Sequence, residues 1–123
     1  MADATQIFHI DTIVVDGTAI AFEDSTATLE GAARFENTAV ASASGDDYVS
    51  RKRVTTTLQC KLQFGNKINP EDLRKVANAQ ISARDTVGGR RALLPKCSFG
   101  SMGAIGGGTV DITFLVLAPI QWI

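Results

Sequence analysis

Residues 53–64, Arg-Val-Thr-Thr-Thr-Leu-Gln-Cys-Lys-Leu-Gln-Phe, alternate between an apolar and a polar side along their whole length. Val54, Leu58, Cys60, Leu62 and Phe64 share one side, with Thr56 as the compromise position. Arg53, Thr55, Thr57, Gln59, Lys61 and Gln63 share the other. Strand side chains point to opposite faces with period two, so this segment reads as a long strand with one dry and one wet face. A wet face this regular is either ordinary surface or the wall of a water-filled channel.

Downstream, Gly65-Asn66 breaks the pattern and a helix is expected over 70–79. Asn69 can cap it, Pro70 suits the first helical position, and Glu71 and Asp72 complement the positive end of the dipole. Leu73, Val76 and Ala77 form its narrow apolar stripe, and Arg74 and Lys75 point elsewhere. Next, Ile81–Thr86 and Ala92–Phe99 flank Gly88-Gly89, a hairpin signal. Pro95 marks the second strand as an edge or as the site of a bulge. Gly100–Gly108 reads as a glycine-rich loop. Thr109–Leu117 reads as a closing strand with Val110, Ile112, Phe114 and Val116 on one side.

Upstream, the apolar run 6–15 meets Asp16-Gly17 and returns as Thr18–Phe22, a two-residue hairpin in which both central positions want φ > 0. A weaker strand is expected within Thr26–Phe35, with Ala27, Leu29 and Gly31 on one side. Residues 36–52 are small and polar with few anchors. They read as a long irregular loop, and such loops in compact domains tend to be functional. The sum is a mainly β chain: two packed antiparallel sheets, as a sandwich or barrel, with one short flanking helix, in a single domain over 1–123.

At 123 residues the chain is long enough to bury about two thirds of its unfolded surface, so it needs neither metal nor disulfide to fold. The formal net charge of −1 supplies no global field to attract nucleic acid. The start, Met-Ala-Asp-Ala-Thr-Gln, has no signal-peptide pattern, and no apolar run is long enough to span a bilayer. Reduced thiols in a cytoplasm are the expectation for Cys60 and Cys97, with a disulfide between them as the alternative.

Catalytic signals are missing. The single histidine, His9, sits in an apolar strand pattern without the partners of a nucleophilic triad, and reads as structural. Cys60 and Cys97 are too far apart in sequence for a zinc site. Asp46-Asp47 belongs to a polar loop, and Glu71-Asp72 is explained by the helix start. Gly100–Gly108 leads into a strand and lacks the lysine of a phosphate loop. No enzyme, metal or cofactor is expected.

Taken in order, the features resemble a known family. They are the Val-Asp16-Gly17-Thr hairpin, the strand at Leu29-Glu30-Gly31, and the polar segment ending in Tyr48-Val-Ser-Arg-Lys-Arg53. There follow the Thr-rich strand Val54–Leu58, the Asn-Pro-Glu-Asp-Leu-Arg-Lys-Val helix, and the Gly-Gly hairpin returning with Leu93-Leu94-Pro95. This order is similar to that of the tail tube proteins of contractile-tailed bacteriophages, over nearly the whole chain. The Gly106-Gly-Gly108 run and the Ala-Pro-Ile-Gln-Trp-Ile tail match no family pattern.

The resemblance implies a virion tail component assembled in the host cytoplasm. It implies rings of six copies whose sheets join between subunits into one ring-shaped β-barrel. Rings stack into a tube inside a contractile sheath, and the genome passes down the lumen during ejection. Expected partners are further copies of the chain, the sheath protein, baseplate and tail terminator proteins, and the tape measure protein and genomic DNA in the lumen, with no membrane. Tube proteins of type VI secretion share this fold.

On this reading Thr55, Thr57, Gln59, Lys61 and Gln63 are lumen-facing candidates. A wide closed sheet alternates inward and outward residues around an aqueous bore. A DNA-conducting wall is best poor in Lys and Arg, since each phosphate contact adds affinity; Lys61 is the exception. Asp46, Asp47, Tyr48, Arg51, Lys52 and Arg53 are candidates for contacts between rings, and Arg74 and Lys75 for contact with the sheath. The competing reading is a small β-barrel module binding nucleic acid or a small ligand through Arg51, Lys52, Arg53, Arg90 and Arg91. It calls for interleaved aromatics, and Tyr48 is the only close one.

Overall fold

The structure, a computed structural model, describes residues 8–63 and 70–123. The expectations for Phe64, the Gly65-Asn66 break and the Asn69 cap lie outside them, as does the start of the first apolar run. The described residues form two antiparallel sheets and one short helix. The main sheet runs β2-β1-β7-β8-β9-β6-β3, with β10 added alongside β8. Its strands are β1 (Thr12–Val15), β2 (Thr18–Ile20), β3 (Thr28–Glu30), β6 (Thr56–Gln63), β7 (Ala79–Asp85), β8 (Arg90–Met102), β9 (Thr109–Val116) and β10 (Gln121–Trp122). The second sheet is a ribbon of β4 (Phe35–Val40) and β5 (Tyr48–Arg53), and α1 covers Pro70–Arg74.

The main sheet curls until residues from its opposite ends share one core. Ile13 and Val15 on β1 join Leu58 and Leu62 on β6, with Ile81, Leu94, Val110, Ile112 and Phe114 between them. After β2 the chain runs beside β6: Phe22 bridges to Leu62, and the Glu23 amide donates to the Lys61 carbonyl at 2.8 Å. The sheet's ordered path still leaves β2 and β3 as ends, so no barrel closes within the subunit.

Bulges do the bending. Register shifts occur between Ala79 and Ile81 on β7 and between Phe99 and Ser101 on β8. Extra residues of this kind bend a strand and raise its twist. Pro95 sits at the first, where β8 changes its neighbour from β10, paired at Ala92 and Leu93, to β9, paired from Cys97. A residue without an N–H costs no ladder bond at such a junction. The bulge expected at Pro95 is therefore present, but the strand is central, not an edge. Gly100 occupies the second bulge; a Cβ there would stand 2.9 Å from the Thr113 carbonyl oxygen.

Several expectations change in detail. The strand expected over 53–64 is broken: β5 ends at Arg53, and β6 starts at Thr56. The Val54 amide donates to the Arg34 carbonyl at 2.9 Å, and the buried Thr56 hydroxyl donates to the Gly31 carbonyl at 2.8 Å. The bend preserves the parity of the alternation, so the sequence pattern runs through it unmarked. Thr56 is the compromise position because its hydroxyl has this partner.

The segment 36–52 is not irregular. It forms most of a six-pair ribbon, from Phe35 opposite Arg53 to Val40 opposite Tyr48. Its alternation was hidden because every ribbon residue is exposed, leaving no dry face to read. The helix is shorter than 70–79, ending at Arg74. Leu73 is buried and Val76 half-buried as expected, but Ala77 is exposed. The strand expected in 26–35 shrinks to β3, and Gly100–Met102 belong to β8, not to the loop. The tail, unmatched in sequence, supplies β10.

Candidate assembly surfaces

The wet face of β6 is shared with its neighbours. Thr57 stands opposite Leu115 and Glu30, Gln59 opposite Thr113 and Thr28, Lys61 opposite Asp111, and Gln63 opposite Thr109. Thr57, Gln59 and Lys61 are half-buried and Gln63 exposed, while Thr55 lies exposed in the bend before the strand. Four of the five lumen candidates thus lie on one hydroxyl- and amide-rich wall, and Thr55 sits at its margin. Sequence reasoning left Lys61 as an anomaly. Its ammonium is 3.9 Å from the Glu23 carboxylate, and Asp111 faces it across the strands. With Glu30 also on this wall, carboxylates outnumber the one lysine. Neither Glu23 nor Asp111 carried a signal, because both partners come from pairing distant in sequence.

An open pocket of about 210 Å³ lies on the same wall, lined by Thr26, Gln59, Lys61, Asp111 and Thr113 among others. It is smaller than the usual range for small-molecule sites. Among the described residues, no cluster of His, Cys, Asp and Glu could hold a metal ion, and no helix is long and apolar enough to cross a membrane.

The ribbon carries all six inter-ring candidates. Cross-strand partners share a face, so Phe35, Arg53, Asn37, Arg51, Ala39 and Val49 lie on one side. Glu36, Lys52, Thr38, Ser50, Val40 and Tyr48 lie on the other. At the base, Arg51 lies over the Phe35 ring at 5.1 Å and Lys52 stands opposite Glu36. Asp46 and Asp47 sit in the turn at the far end, where Asp47 Oδ1 accepts the Ser42 amide at 3.3 Å. The distal strand ends are apolar on both faces: Val40 is 48% exposed, Tyr48 67% and Val49 68%.

A clamp of backbone contacts holds the ribbon's base. The Arg34 amide donates to the Gly31 carbonyl at 2.9 Å, and Arg34 itself accepts from Val54. Gly31 has φ 69°, and a Cβ there would collide with the Thr55 carbonyl. Glycine is required at this point for both reasons.

The remaining candidates fall elsewhere. Arg74 pairs with Glu71 on the exposed face of α1, and Lys75 follows it, also exposed. Cys60 and Cys97 are free and both buried. Desolvation by burial pushes the Cys97 thiol up to about 12. Burial, helped by the charge of Asp111, pushes Cys60 up to about 11. His9 is not inside a strand: it is exposed ahead of β1, with Nε2 3.1 Å from Asp24 Oδ1.

A scan against protein families finds no match, and neither does a search of curated proteins. Among solved structures, the fold is similar to a chain in the sheath–tube complex of an extracellular contractile injection system (PVC), determined by cryo-EM in the extended state. The TM-score is 0.62 at 11% identity, covering 96% of this chain and 90% of the other. At that identity the likeness is one of fold alone.

Proposed function

We propose that this protein is the tube subunit of a contractile tail, forming hexameric rings that stack inside a sheath around a lumen that conducts DNA. The observation that carries this reading is the ribbon. An isolated two-stranded ribbon is at best marginally stable in water. This one has apolar residues on both faces of its distal end and, among the described residues, makes no extended contact with any other strand. Such a device makes sense when a neighbouring copy covers it. The short end strands β2 and β3 supply further edges that pairing between subunits would satisfy. The fold likeness to a sheath–tube component supports the same conclusion, and the number six comes from the family resemblance.

The wet wall of β6 and β9 fits a conducting bore. Threonine and glutamine side chains keep it wetted, and the surplus of carboxylate over lysine disfavours phosphate contacts. Sheath contact is assigned to the exposed side of α1 around Lys75, with Arg74 engaged by Glu71. The role is structural, not enzymatic. Electron microscopy of the purified protein tests the proposal: hollow fibres of uniform bore are expected. Dispersed monomers at high concentration would refute it.

A further inference from the structure

We propose that the cleft between the β7–β8 turn and β10 receives the acidic ribbon tip of a second copy of this chain. This contact rests on the tube reading and specifies which surfaces of successive copies meet.

The cleft, of about 230 Å³, is lined by Arg84, Asp85, Arg90 and Arg91 together with Ile123, which follows β10. Arg84 and Arg91 are directly opposed on β7 and β8. Like charges in that position repel, and a carboxylate between them relieves the repulsion. Among the described residues none of these arginines has an ion pair. Arg91 Nε is buried without a hydrogen-bond partner, and an unmet guanidinium donor of this kind calls for an acceptor.

Among the described residues Asp85 forms no ion pair with these arginines; its carboxylate oxygens take backbone amides instead. Oδ1 takes the Gly88 amide at 2.8 Å, and Oδ2 takes the His9 amide at 3.2 Å. Arg90 lies over the Trp122 ring at 5.2 Å, so the cleft has an aromatic flank. Val87, in the adjoining turn, is 84% exposed.

The ribbon tip presents the complementary set. Asp46 and Asp47 bring two negative charges, and Val40, Tyr48 and Val49 bring apolar surface beside them. Strands of this length extend roughly 20 Å, enough to leave their own subunit. At the ribbon's base Arg51 and Lys52 are poorer candidates to receive the tip, since they already face Phe35 and Glu36. A nucleic-acid phosphate would satisfy the arginines but not Val87, so the second copy is the better occupant.

Charge exchange tests the contact. Asp46→Lys with Asp47→Lys, and separately Arg84→Glu with Arg90→Glu, should each raise the critical concentration for tubes at least tenfold. The quadruple variant should return to within about threefold of wild type. Either pair assembling like wild type, or a quadruple variant as defective as the pairs, overturns the contact. As a measurement independent of the arginines, Asp46→Cys and Val87→Cys proteins are mixed, assembled and oxidised. A disulfide between the two variants is expected, and intact tubes without it overturn the proposal. Monomeric wild-type protein refutes the tube reading itself, whereas wild-type tubes with indifferent variants refute only this contact.

Discussion

Replacing Val40, Tyr48 and Val49 together by serine removes the apolar end of the ribbon and leaves its backbone pairing in place. Fully burying a side chain of the Val or Phe class is worth about 1.5–3 kcal/mol. Here half to two-thirds of each side chain is still open to water in the subunit. Docking therefore adds roughly 1 kcal/mol per valine and somewhat more for the tyrosine, or about 3 kcal/mol for each ribbon covered. Association and side-chain ordering take their share of any such sum, so the figure is an upper one. At 1.4 kcal/mol per decade, losing it raises the critical concentration for assembly by up to about a hundredfold.

The subunit itself should hardly notice. The buried core includes no ribbon residue, and the main loss within the ribbon is the Val40–Tyr48 cross-strand pair, worth about 0.2–1 kcal/mol. Sedimentation of polymer across a concentration series, with thermal unfolding of the monomer in parallel, separates the two effects. A variant that assembles at the wild-type concentration would show that these side chains stay in water in the assembled state. The argument for a covering neighbour would then lose its basis.

Other expectations follow from single contacts. Gly31→Ala meets both a left-handed φ and the Thr55 carbonyl, and should cost about 2 kcal/mol or more in denaturant unfolding; an unchanged midpoint refutes the clamp. Both thiols should resist alkylation at pH 8 in the folded protein and react only on unfolding. Their folded values are raised above the ordinary 9.0, so the stability they contribute is complete below pH 9. It is lost as pH rises from there towards 11 and 12, at up to roughly 1.4 kcal/mol per pH unit and thiol, and chemical denaturation at pH 8 and 10.5 checks the sign. Lys61→Gln should leave tubes intact, since Lys61 only offsets Glu23 and Asp111 on the wall; a block in assembly would place it in an interface instead. Changing both Arg74 and Lys75 to Glu should reduce sheath co-assembly, most of it through Lys75, and unchanged co-assembly counts against the sheath assignment.

What the sequence made legible was whatever one buried face imposes. Leu58, Cys60 and Leu62 on β6, and Val110 to Val116 on β9, alternate because water is on one side only. The Asp16-Gly17 turn was equally readable, since both residues take positive φ, 47° and 84°. The ribbon was not, because exposure on both faces erases the period that reveals a strand. Nor was the bend at Val54–Thr55, which shifts the chain between sheets without changing the parity of its side chains.

The same blindness explains why the candidate site was found only in part. Thr57, Gln59 and Gln63 could be assigned to one wall from spacing alone. The neutralisation of Lys61 needed Asp111 and Glu23, brought alongside by pairing across the sheet. The arginine cleft needed the pairing of β10, a strand with no sequence signature, which brings Ile123 to its lining. Both cases share one physical cause: local sequence encodes which face of a strand is dry, while charge balance depends on which strands lie side by side. On the proposed tube reading, the surfaces read least well are those that meet neighbouring copies, because they have no dry side until the neighbour arrives.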